Sequence, residues 1–136
     1  MAEEDAEAID RRIATFYSAF DNRDGAMPNG DNLRDLFTDD ARIFRSSPAG
    51  LDVWSVEAFI APRIAWLTDG TLTDFHEWET ESRTDIEGRI ASRRSLYRKS
   101  GRRGEECLDG QGRKFIQLVR KDAQWLIASI VWEDLP

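Results

Sequence analysis

Histidine and cysteine are almost missing from this chain, which has His76 and Cys107 and no others of either type. A single cysteine closes no internal disulfide, so a reducing compartment, the cytoplasm, is expected. One histidine and one cysteine also fall short of the usual zinc ligand sets, and no metal is expected. Glycine-rich phosphate loops, dinucleotide fingerprints and G-x-S-x-G elbows are absent, so no cofactor is expected. Basic charge is in short supply: 19 Lys and Arg stand against 26 Asp and Glu, a net charge of −7. That balance argues against nucleic acid or an anionic membrane as partner. No apolar run approaches the roughly 18 residues of a membrane-spanning helix. The opening Glu3-Glu4-Asp5 is acidic where a secretion signal would be basic.

What remains is enough for one globular unit. The 136 residues are 40% hydrophobic and 10% aromatic, which supports a single domain over 1–136 with a real core. Residues 5–21 read as an amphipathic helix, because Ile9, Ile13, Phe16, Tyr17 and Phe20 fall on one stripe. A short second helix follows, capped by Asp31 or Asn32, with Leu33, Leu36 and Phe37 on its buried side. A brief strand is expected over 41–45. A third helix starts at the N-cap candidate Ser55 and carries Phe59, Ile60, Ile64 and Leu67; Pro62 should kink or split it.

From residue 71 the period becomes two. Segments 72–86, 89–99, 113–121 and 124–133 are joined by hairpin signals, which predicts an antiparallel meander and an α+β domain. In the first long strand His76 and Trp78 are expected to point inward, with Glu77, Glu79 and Glu81 outward to water. A symmetric turn at Glu87-Gly88 pairs Glu77 with Arg98 and Glu81 with Arg94, and sets Tyr97 beside Trp78. The last strand is apolar on both faces, so both need cover: a second copy of the sheet, or the 101–112 segment folded over as a loop.

Tyr17-x-x-Phe20-Asp21-x-x-Asp24, Leu36-Phe37-x-x-Asp40-Ala41, Gly112-Arg113-Lys114-Phe115-x-x-x-Val119-Arg120 and the closing Trp125 and Trp132-Glu133-Asp134 resemble the nuclear transport factor 2-like superfamily. Within it the polyketide cyclase-like (SnoaL-like) branch is most similar. The resemblance implies a cone-shaped, cystatin-like fold: three helices on a curved antiparallel sheet, a pocket inside, and dimers built on the sheet. Its members include isomerases, cyclases, dehydratases and proteins without catalysis, so the fold alone selects no reaction. The ketosteroid isomerase residues do not carry over: their places fall on Phe16, Ser46 and Lys114 or Gln117.

The reading that results is a small-molecule-binding protein with an apolar and aromatic pocket, lined by Tyr17, Trp78, Arg93, Tyr97 and Trp132. Arg93 there would meet an anionic or carbonyl-bearing ligand. The alternative is a cofactor-independent isomerase, cyclase or dehydratase with His76 as acid and base. A third reading is an interaction module that uses the sheet face. Cys107, among Glu105, Glu106 and Asp109, is set in surroundings that disfavour a thiolate.

Overall fold

The computed structural model describes residues 2–136. Helix α1 (Ala2–Ser18) opens with three acidic side chains, which oppose the positive helix end. Its predicted stripe is buried throughout, from Ile9 to Tyr17, and Phe20 just beyond is buried with it. Helix α2 (Gly30–Arg34) is capped one turn earlier than expected: the Asn29 side chain accepts from the Asn32 amide. Helix α3 (Val56–Thr68) has Ser55 as its cap, accepting from the Ala58 amide as expected. It runs through Pro62 as one helix, so the expected break is corrected. Burial of Phe59, Ile60 and Leu67 outweighs the roughly 3 kcal/mol that an internal proline costs.

The sheet has six strands: β1 (Phe37–Ser47), β2 (Gly50–Ser55), β3 (Thr73–Glu87), β4 (Ile90–Arg103), β5 (Glu106–Lys121) and β6 (Gln124–Leu135). Their order is β2-β1-β6-β5-β4-β3. The meander β3 to β6 follows the expected order. The brief 41–45 strand is longer than expected and pairs parallel with β6, so the sheet is mixed. Strand β2 was missed; its signal is the Leu51 and Val53 alternation after the turn at Pro48-Ala49.

The 101–112 segment is not a covering loop. Strands β4 and β5 run through it, and only Gly104 and Glu105 form the turn. Gly101 sits where a β-carbon would come within 2.9 Å of the Phe75 ring, and Gly112 where one would overlap the Tyr97 hydroxyl. These two glycines serve close packing rather than turning.

Two bulges decide the strand faces. In β3, Glu79 opposes Tyr97 and Glu81 opposes Leu96, so Thr80 is the extra residue. Glu77 faces Lys99 and Arg83 faces Arg94, and the expected Glu77–Arg98 and Glu81–Arg94 pairs do not form. In β6, Gln117 opposes Ser129 and Leu118 opposes Ile127, which makes Ala128 extra. Trp125 and Ile127 therefore point inward before the bulge, and Ile130 and Trp132 point inward after it. The two apolar faces read from the sequence are largely one inner face that changes parity.

Candidate functional site

The concave side of the sheet and helices α1 and α3 bound a cavity of about 270 Å³, walled by Phe16, Phe20, Phe59, Trp66 and Trp132 among others. Strand alternation brings Phe75 and Glu77 to it from β3, Tyr97 and Lys99 from β4, Lys114 from β5, and Trp132 and Asp134 from β6. The parity expected for β3 is thus reversed. Glu77 and Glu79 face the interior, while His76 and Trp78 lie on the other side of the strand, aligned with Ser100 and Arg98. The expectation followed from the cost of burying a carboxylate. Neighbouring strands offset that cost with cations: Lys114 reaches Glu77 at 3.3 Å, and Arg93 reaches Glu79 at 2.5 Å.

Lys114 is the chemical centre of the floor. Its side chain is 6% exposed, and its ammonium lies 3.4 Å from the centre of the Tyr97 ring and 5.2 Å from that of Tyr17. Burial pulls the amine below its ordinary pKa, while Glu77 and Asp134 pull it back up. The Tyr97 hydroxyl donates to Asp134 Oδ1 at 2.5 Å, and Lys99 approaches the same oxygen at 3.4 Å. Burial, then the Asp134 bond, push the Tyr97 phenol well above its ordinary value.

Behind this floor runs a second polar chain. Tyr17 and Ser95 share a hydrogen bond of 2.8 Å, and Ser95 donates to Glu79 at 2.6 Å. Arg93 holds Glu79 with two bonds and Asp10 with a third at 2.6 Å. Its side chain is 4% exposed, so it fastens α1 to β3 and β4. Arg93, Ser95 and Tyr97 do share the inner face, as the alternation of β4 predicted.

Of the residues singled out by sequence, Tyr97 and Trp132 line the cavity. Tyr17 forms the wall behind Lys114. Arg93 is committed to carboxylates of the protein and does not border the cavity. His76 and Trp78 stack on each other, 4.4 Å between ring centres, beside a shallow groove that also touches Tyr17, Asp21 and Arg23. The imidazole Nδ1 is buried without a hydrogen-bond partner. His76 is therefore outside the aromatic cavity for which an acid and base role was expected.

Sequence reasoning missed Lys114, Glu77 and Arg63. For Lys114 a signal existed: it alternates with Gly112 and Ile116, both buried. Arg63 and Arg45 gave no such signal. They lie over Trp54, 5.0 and 5.8 Å from its centre, and Trp54 stacks on Trp132 at 5.4 Å.

No protein-family model matches the chain, and no curated protein does. Solved structures do. The Kfla4162 protein of Kribbella flavida is 17% identical with a TM-score of 0.79, over 100% of this chain and 94% of that one. A protein of Novosphingobium aromaticivorans provisionally assigned as a scytalone dehydratase is 18% identical with a TM-score of 0.77, over 100% and 89%. An NTF2-like protein of Cytophaga hutchinsonii is 17% identical with a TM-score of 0.72, over 96% and 98%. At these identities the likeness establishes the fold, and the chain has the nuclear transport factor 2-like fold expected from its motifs.

Proposed function

We propose that the protein binds one small, flat, apolar or aromatic molecule in the cavity between its helices and the concave face of the sheet. The observation that carries this reading is the cavity of about 270 Å³ itself, bounded by aromatic rings with a few polar groups at its floor. Calorimetric titration with indole tests it. Saturable binding is expected, and it should vanish in Leu108→Trp, which puts an indole into the space from β5. Binding that is absent, or unchanged in a folded Leu108→Trp protein, would refute the reading.

The same reading includes a second copy of this chain on the convex face. Val53, Phe44, Val131 and Phe115 are register neighbours across β2, β1, β6 and β5, and Leu51 lies on the same outer face of β2. Four of these five side chains are 41–63% exposed. A contiguous apolar stripe with charged borders suits a self-complementary two-fold interface. Flanking groups of both signs, Arg94 and Glu133, allow unlike charges to meet across such an axis.

A further inference from the structure

The cavity is cationic although the chain is acidic. Arg45, Arg63, Lys99, Arg103 and Lys114 border it, against the carboxylates Glu77 and Asp134. Lys114 is held by Glu77 and Lys99 by Asp134, and Arg45 places Nε and Nη2 on a single Asp52 oxygen at 3.0 and 2.7 Å. Arg63 has no such partner; Arg103, the last residue of β4, has none either, but it is exposed to water. The one hydrogen bond of Arg63 is from Nη1 to the Phe59 carbonyl at 3.0 Å, and among the described residues no carboxylate forms an ion pair with it. The side chain is half-buried and lines the cavity.

Its surroundings sharpen the point. The guanidinium lies 3.9 Å from the centre of the Phe59 ring, 5.0 Å from Trp54 and 5.7 Å from both Trp66 and Trp132. Aromatic faces favour a cation but accept no hydrogen bonds in the plane of the fork. Burial pulls its pKa down to about 10; the charge of Glu77 opposes that pull without forming an ion pair, and the nearby Arg45 charge adds to it. Buried charges are normally paired, and planar carboxylates match a guanidinium fork with two parallel bonds.

We infer that Arg63 is the anchor for a carboxylate carried by the ligand, so that the bound molecule is an aromatic or unsaturated carboxylic acid with its apolar part directed into the cavity. This rests on the small-molecule reading above and names the ligand's class. Two guanidiniums lie over one indole, and of the two only Arg45 is bonded to a carboxylate, Asp52, which leaves a positive surplus that the ligand's charge removes. Selectivity follows from the same geometry: a neutral isostere loses the charge-assisted bonds, and a cationic one meets Arg63 and Arg45 directly.

The test is calorimetric titration at low salt with trans-cinnamate and its neutral isostere trans-cinnamamide. Cinnamate is expected to bind about tenfold or more tightly. In Arg63→Met the two should bind alike, at the affinity of the amide. Arg63→Lys, which keeps charge but not the fork, should retain part of the preference and covers the case in which Arg63→Met does not fold. Equal binding of acid and amide to the unmodified protein overturns the inference and leaves the small-molecule reading standing. A preference that survives intact in Arg63→Met overturns the assignment to Arg63. If neither compound nor indole binds, both readings fall together.

Discussion

The ammonium of Lys114 lies 3.4 Å from the centre of the Tyr97 ring, on a tyrosine whose hydroxyl is tied to Asp134. One side chain thus offers its negative face to a cation from β5 and its edge to a carboxylate from β6. Glu77 completes the arrangement from β3. Four strands meet at this point, and none of the four groups is stable there alone.

Glu77→Gln should therefore cost about 3 kcal/mol in urea unfolding, because it leaves the Lys114 charge buried without its carboxylate. Lys114→Met in the same chain should recover most of that loss, since an apolar side chain suits the aromatic walls. A double variant no more stable than Glu77→Gln would contradict this account of the floor.

Alkaline pH should destabilise the protein through its two tyrosines. Burial raises both the Tyr17 and the Tyr97 phenol above the ordinary 10.0. Above about pH 10 the unfolded chain releases these protons while the native protein keeps them. The native state then holds more protons, and unfolding free energy falls as pH rises. Absorbance at 295 nm reads this directly, because the chain has only two tyrosines. At pH 10.5 the native protein should show far less tyrosinate than the urea-unfolded chain. Tyr97→Phe should shrink the alkaline loss of stability.

Gly112→Ala should be damaging despite its small size. The added methyl would fall on the Tyr97 hydroxyl and the Glu133 carbonyl, and overpacking of this kind costs about 2 kcal/mol. The variant should also release Tyr97 from Asp134, so its phenol should titrate at lower pH than in the unmodified protein. An unchanged titration would show that the hydroxyl does not depend on that glycine.

The convex stripe is expected to hold a dimer together. Sedimentation equilibrium should give twice the 15.6 kDa chain mass. Val131→Glu, which places a carboxylate within the stripe between Phe44 and Phe115, should yield a folded monomer. A monomeric unmodified protein at micromolar concentration would leave the stripe without its proposed occupant.

Part of the site was visible in local pattern. The α1 stripe, the Ser55 cap and the shared inner face of Arg93, Ser95 and Tyr97 all follow from periods of 3.6 and two, which neighbouring residues enforce on one another. The sign of the β3 alternation did not follow. Its glutamates were assigned to water because the cations that accompany them, Arg93 and Lys114, are contributed by other strands.

The chain's own order of residues determined that three helices precede a long meander, and that aromatic side chains gather on one side of it, because those features depend on spacing along one segment. Tertiary structure alone decided which carboxylates went inside and that half-buried Arg63 was left without one. The extra residues Thr80 and Ala128 shift strand parity, and charge compensation is a property of strands laid side by side. Arg63 lies among rings of its own helix, Phe59 and Trp66, and rings that β2 and β6 bring to it, Trp54 and Trp132, and no reading of its neighbours in sequence contains the second pair.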